Sequence, residues 1–273
     1  MNRVQTIARS SLVTFQRFDH PHDRIHRDPK EEEVFDYSVS FIERGEFSIQ
    51  AGKKAWRLSQ GMLFVTRPGL VYRCEHRERC PSDVCLSVLY NAAWVRESRS
   101  DGRRGSRQNL DPIVLPPTNR LRYLYLRLAR SLEDHAGPMA WESLSVDLLA
   151  ALDEQGKSRA RKLHSDRQLT WYEDRVEGAR DLLDTRYAEE HSLSSLARTV
   201  GMSPFHFARV FCELTGVSPH QYLLRIRLFR AAERLREGET VTATCFCCGF
   251  GNLSHFIRSF RRAFGVSPSR FRN

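Results

Sequence analysis

The last hundred residues of the chain contain one pattern twice. His206-Phe207-Ala208-Arg209-Val210-Phe211 returns 49 residues later as His255-Phe256-Ile257-Arg258-Ser259-Phe260, and Gly216-Val217-Ser218-Pro219 returns at the same offset as Gly265-Val266-Ser267-Pro268. Upstream, Ala197 to Met202 corresponds to Cys245 to Phe250 at an offset of 48, so the one-residue difference falls in a turn, where length varies without moving helices. Whatever this chain folds into must hold two copies of one short supersecondary unit.

Each copy has the layout of a helix-turn-helix. A first short helix starts at a polar cap, Ser192 or Ser194 in one copy and Thr240 or Thr242 in the other. It carries a small residue at its middle, Ala197 or Cys245, which lets a second helix cross close by, and it stops at Gly201 or Gly249, which permits the positive φ of a tight turn. The second helix begins at Ser203-Pro204 or near Asn252, and its buried stripe is Phe207 with Phe211, mirrored by Phe256 with Phe260. Phe205, Ala208, Arg209 and Glu213 are left outward in one copy, and Leu253, Ser254, Ile257, Arg258 and Arg261 in the other. An Arg at the same outward position of both copies suits phosphate oxygens or the O6/N7 edge of guanine; the plainer alternative is a pair of surface ion pairs.

Between the copies, Gln221 to Arg236 reads as one long helix with Leu224, Leu228, Ala232 and Leu235 on its apolar side. It would hold the two units at a fixed separation, as two recognition helices entering successive major grooves about 34 Å apart require. Charge agrees. Residues 191–273 carry twelve Arg against four Glu, a balance of +8, whereas 172–190 carry −4 and 1–171 carry +6. A basic tail of this kind binds polyanions, or is simply a solvated face.

The 273 residues are enough for two domains. Between 34 and 90 the period is two, as in Tyr37, Val39 and Phe41 alternating with Ser38 and Ser40, and turn signals recur at Gly52, Gly61 and Pro68-Gly69. Many short strands at even spacing predict a barrel or sandwich. Residues 96–109, with five Arg and two Gly, read as a mobile loop. From 118 the period turns helical through Leu121, Leu124, Leu128 and Leu132, and a second helix carries Leu144, Leu148, Leu149 and Leu152. This pair either forms a dimer seam or packs on its own barrel. Residues 154–170 read as a linker.

Seven widely spread cysteines, no apolar run long enough to span a bilayer and no leader-like N-terminus predict a cytoplasmic chain without a disulfide framework.

The run Gly249-Phe250, Ser254-His255-Phe256, Arg258, Phe260 to Arg262, Phe264 to Pro268 and Phe271-Arg272 resembles the signature of the AraC/XylS family of bacterial transcription regulators, and the first copy matches it too. The resemblance implies an α+β chain: a cupin-like β-barrel (1–117), a helical dimerisation region (118–153), the linker (154–170) and an all-α DNA-binding domain (171–273) with seven helices and two helix-turn-helix motifs. It places base-reading positions on Phe205, Ala208, Arg209, Leu253, Ser254, Ile257 and Arg258. Cys245, Cys247 and Cys248 stand where the family has small residues, and Phe205 and Leu253 are apolar where several members are polar, which bears on the operator read. Partners implied are double-stranded DNA, a small-molecule effector, RNA polymerase and a second copy.

The N-terminal strands resemble the family's effector domain through Arg44-Gly45-Glu46, Gly61-Met62-Leu63-Phe64 and Arg67-Pro68-Gly69. By alternation Tyr72 and Cys74 share one face, as do Cys85, Ser87 and Leu89; rough alignment turns these faces inward as an effector pocket, with Tyr37, Val39, Phe41 and Phe64 as apolar walls. The His-x-His place of metal-binding cupins falls near Glu31–Asp36, while His20, His22 and His26 come earlier, so no metal, no cofactor and no catalytic activity are expected. Two alternatives stay open: a thiol or metal sensor built on Cys74, His76, Cys80 and Cys85, and a cupin enzyme fused to a DNA-binding tail.

Overall fold

Alternation of Val39 and Phe41 with Ser38 and Ser40 makes a strand with two unlike faces, and the fold uses both. The computed structural model describes residues 3–20, 31–76, 83–93, 95, 113–153 and 162–272, divided into one unit up to Leu163 and another from His164. The loop read at 96–109, residues 154–161 of the linker, His22, His26 and Cys80 lie outside the described residues, as do the side chains of His20 and His76.

Among its described residues the first unit holds ten strands: β1 (Arg3–Arg9), β2 (Val13–His20), β3 (Glu32–Glu33), β4 (Tyr37–Arg44), β5 (Glu46–Ala51), β6 (Lys54–Ser59), β7 (Leu63–Thr66), β8 (Val71–His76), β9 (Asp83–Tyr90) and β10 (Ile113–Leu115). They form two antiparallel sheets, β1-β2-β9-β4-β7-β10 and β3-β8-β5-β6. The turn signals fall where expected: Gly52 (φ 57°) sits in the two-residue β5–β6 connection, and Gly61 (φ 84°) and Gly69 (φ 85°) turn the chain into β7 and β8. Strands β1, β2, β3 and β10 lie outside the 34–90 window of the sequence reading. The Val13-Thr14-Phe15-Gln16 alternation of β2 carried the needed signal.

Helices α1 (Asn119–Glu133) and α2 (Pro138–Asp153) follow. Thr118 caps α1, its hydroxyl accepting from the Leu121 amide. Leu121, Leu124, Leu128 and Leu132 are buried inside the unit, with Leu144 and Leu148 of α2. The helix pair therefore packs on its own sheet, the second of the two arrangements considered, and these leucines are not available to a seam. Trp141 meets Phe15 edge-on at 6.3 Å and Tyr125 meets Phe41 at 5.1 Å. Glu43 accepts from Tyr125 Oη at 2.6 Å and from Arg17 Nη2 at 3.0 Å.

Strand β9 lies between β2 and β4 and is covered on both sides. Leu86, Val88 and Tyr90 face the helices, with Tyr90 Oη donating to the Ser145 carbonyl at 2.9 Å, while Cys85, Ser87 and Leu89 face the other way.

The second unit is all helix: α3 (Asp166–Thr185), α4 (Leu193–Thr199), α5 (Pro204–Thr215), α6 (Pro219–Arg236), α7 (Val241–Cys247), α8 (Leu253–Phe264) and α9 (Pro268–Arg272). Helix α3 begins inside the segment read as linker, because Ser165 and Gln168 form a reciprocal capping box that starts the helix at Asp166.

Burial holds the Tyr90 phenol above its ordinary value. The native state thus keeps a proton that the unfolded chain loses, so stability is complete below the unfolded phenol value of about 10 and falls as pH rises past it. We expect Tyr90→Phe to destabilise the first unit by about 1–2 kcal/mol near pH 7 and to flatten the alkaline loss. Thermal melts between pH 7 and 11 check this; an unchanged alkaline slope in the variant would count against it.

Candidate functional site

Both helix-turn-helix units are built from the same parts in the same order. Helix α4 starts at a capping box between Ser192 and Ser195; α7 starts at Thr240, whose hydroxyl accepts from the Ala243 amide. At their middles Ala197 and Cys245 are fully buried. The turns close identically: Gly201 donates to the Arg198 carbonyl and Met202 to that of Ala197, as Gly249 donates to Phe246 and Phe250 to Cys245. Ser203 and Asn252 precede the second helices α5 and α8, and Gly216 and Gly265 end them in the left-handed conformation.

Phe207, Phe211, Phe256 and Phe260 have no exposed surface, and the rings within each pair lie 5.6 and 5.7 Å apart. Each buried ring contributes roughly 1.5–3 kcal/mol. Two residues beyond the first ring of each pair, about 200° around the helix at 3.6 residues per turn, stand Arg209 and Arg258. Both are exposed. Among the described residues, neither guanidinium makes an ion pair or a hydrogen bond. The ion-pair alternative thus lacks support.

Four of the five arginines of α6 are occupied, whereas Arg225 is exposed. Arg227 donates to the carbonyls of Tyr187 and Glu189 at 2.7 and 2.8 Å, Arg230 pairs with Glu233, Arg234 pairs with Glu239, and Arg236 lies 5.2 Å over the Phe271 ring. The exposed cations of this unit include Arg261, Arg262, Arg270 and Arg272 beside the two helix arginines.

The remaining predicted readers divide. Phe205 (82% exposed) and Ser254 project outward, and Ala208 is half-buried. Leu253 and Ile257 pack against the core around Phe256 and Phe260, so only part of each is presented. Glu213, expected outward, keeps 9% of its side chain exposed because His164 Nε2 sits 3.7 Å from its carboxylate.

In the first unit a cavity of about 350 Å3 is lined by Tyr72, Cys74, Cys85, Ser87, Leu89 and Phe64, as expected. Tyr37, Val39 and Phe41 do not line it; Ser38 and Ser40 do. The correction has a plain cause. Val39 and Phe41 share the face that α1 and α2 cover, and alternation then turns the serines to the cavity. Their hydroxyls pair across strands, Ser38 with Thr66 at 2.6 Å and Ser40 with Ser87 at 2.7 Å. Sequence reasoning missed Ser38, Ser40 and Thr66, and also Glu32, Glu33 and Asp36. Burial, then the carboxylates of Asp83 and Glu43, push the Cys85 thiol up to about 12. Among the described residues no three His, Cys, Asp or Glu side chains are grouped to hold a metal, and no helix is long and apolar enough to cross a membrane.

Comparison with known proteins agrees with this geometry. A helix-turn-helix domain family matches residues 196–273. An HTH-type transcriptional regulator of Mycobacterium tuberculosis is 42% identical over 83 residues, 30% of this chain and 32% of that protein, so the chain matches about a third of this relative's length. The HTH-type transcriptional activator RhaS of Pectobacterium carotovorum is 31% identical across 87% of this chain and 85% of its own. The crystal structure of a probable AraC family transcriptional regulator from Rhodopseudomonas palustris is 31% identical over 36% of this chain and 94% of that one, with a TM-score of 0.35.

The two turn glycines are equivalent in conformation but not in surroundings. A methyl group on Gly249 (φ 78°) would fall 2.6 Å from the Ala188 carbonyl oxygen, whereas one on Gly201 (φ 68°) would meet nothing within 4 Å. Gly201→Ala should cost about 1–2 kcal/mol, the left-handed penalty alone, and Gly249→Ala clearly more, since backbone must move. Urea unfolding of the two variants checks the order; equal midpoints would contradict it.

Proposed function

The chain belongs to the AraC/XylS family of transcription regulators, and from that premise we propose that it binds double-stranded DNA through α5 and α8 and regulates transcription in response to a small molecule held in the N-terminal cavity. The observation that carries the DNA reading is the pair Arg209 and Arg258: equivalent in the repeat, exposed, and without an intramolecular ion pair among the described residues. A guanidinium fork in that position offers two donors to a guanine edge or to phosphate. Phe205 offers an apolar surface suited to a thymine methyl group. The +8 balance of residues 191–273 supplies the nonspecific attraction to the backbone.

The cavity supports the effector half. It is lined by strands of both sheets and mixes aromatic walls with paired hydroxyls, the composition that holds a small, partly apolar molecule by one or two hydrogen bonds. A thiol sensor at the same residues is disfavoured by the chemistry of Cys85, which stays a protonated thiol and is a poor nucleophile and metal ligand. A second copy of the chain is the further partner in this reading. On α2, Met139 (84% exposed) and Val146 are the apolar groups left for it once the leucines are internal. Activation or repression then depends on where the bound sites lie relative to RNA polymerase.

On a DNA site selected from random sequence by the full chain, Arg209→Ala and Arg258→Ala should each lose about 1–3 kcal/mol of binding. Arg236→Ala, whose guanidinium rests on Phe271, should lose little. Wild-type affinity should fall steeply between about 50 and 200 mM salt as phosphate counterions are released. Affinity indifferent to salt, or to both recognition-helix variants, would remove the reading.

A further inference from the structure

The charge of the cavity lining is unlike that of the chain. Lys and Arg outnumber Asp and Glu by 43 to 33 overall. Yet among the described residues the lining holds three acidic ones, Glu32, Glu33 and Asp36, and no Lys or Arg. Strand β3 pairs with β8 so that Glu32 stands opposite Tyr72. Cross-strand partners share a face, which puts this carboxylate on the side of the sheet that Tyr72 presents to the cavity. Tyr72 in turn meets Phe64 edge-on, with ring centroids 5.5 Å apart.

From these features we propose that the effector is an organic cation, a protonated amine carried on a small apolar body. The proposal rests on the effector reading of the cavity and adds the charge class of its ligand. Three properties of the lining select that class. Acidic groups at the mouth of a cleft with low-dielectric walls focus a negative potential into it, so a cation is drawn in and an anion repelled. The faces of Phe64 and Tyr72 attract a cation through the ring quadrupole, most strongly where water is excluded. The hydroxyl pairs Ser38–Thr66 and Ser40–Ser87 are neutral: in each, one hydrogen is used between the partners, which leaves one donor and spare lone pairs. Such a belt can orient an ammonium group or a hydroxyl, but it cannot repay the desolvation of a carboxylate.

The test uses three probes with one indole body: tryptamine (cation), tryptophol (neutral) and indole-3-propionate (anion), each titrated calorimetrically into the full chain. Tryptamine is expected to bind about tenfold or more tightly than indole-3-propionate at low salt, with the gap narrowing at about 0.5 M salt. In the Glu32→Gln, Glu33→Gln, Asp36→Asn triple variant, made at three exposed positions, the gap should close while tryptophol affinity stays at the wild-type value. If the carboxylate binds as tightly as the amine, or if the triple variant keeps the full preference, the inference is overturned and the effector cavity still stands. If no probe of any charge binds at millimolar concentration, the effector reading falls and this inference falls with it.

Discussion

Two phenylalanines one helical turn apart decide which way each reading helix faces. Burying Phe207 with Phe211, and Phe256 with Phe260, leaves α5 and α8 only one rotation about their axes, because any other would expose two rings and bury guanidinium groups. The outward direction of Arg209 and Arg258 follows from that rotation. The rest of the second unit serves the same end. Small, fully buried Ala197 and Cys245 let the helices cross closely, and the left-handed glycines set the angle of the turn. Arg227, Arg230 and Arg234 of α6 are held by backbone carbonyls and neighbouring carboxylates, which leaves these three little part in contacting a ligand.

In the first unit the corresponding constraint is a sheet with two employed faces. Helices α1 and α2 require a broad apolar surface, and Phe15, Val39, Phe41, Leu86 and Val88 supply it. Because side chains alternate, the opposite face inherits what remains, serines, a threonine, the Cys85 thiol and Phe64, while Tyr72 and Cys74 come from the second sheet. The polar character of the cavity is thus a consequence of where the helices pack. It also explains why the cavity can carry an electrostatic preference, since a wholly apolar lining would have none.

Much of this was legible in the residues. The 49-residue repeat, the helix starts at Ser203-Pro204 and at the Asn252 cap, the turn glycines and the leucine spacing of α1 are local or periodic signals, and each appears in the structure at the residues read, though the Ser203 hydroxyl makes no capping hydrogen bond. What failed was the assignment of faces. Alternation says that Val39 and Phe41 lie together, but which side they face depends on a partner more than eighty residues away, as the Phe41–Tyr125 contact shows. Glu213 looked solvent-facing for the same reason: its partner His164 lies 49 positions upstream, and no local pattern connects them. Leu253 and Ile257 carry a double role, partly core and partly surface, that spacing alone does not resolve. The carboxylates of Glu32, Glu33 and Asp36 carry no local signal of a cavity, because the relation of Glu32 to Tyr72 exists only once β3 and β8 pair.

Under the proposed function, the buried rings would aim Arg209 and Arg258 at base edges in successive grooves. Guanine-methylation interference on the selected DNA site measures that aim directly, since methylation at N7 blocks the edge an arginine reads. The account predicts interference at two guanines about one helical turn apart, with the first lost in Arg209→Ala alone and the second in Arg258→Ala alone. Interference at both guanines that persists unchanged in both variants, or guanines spaced by half a turn, would contradict it.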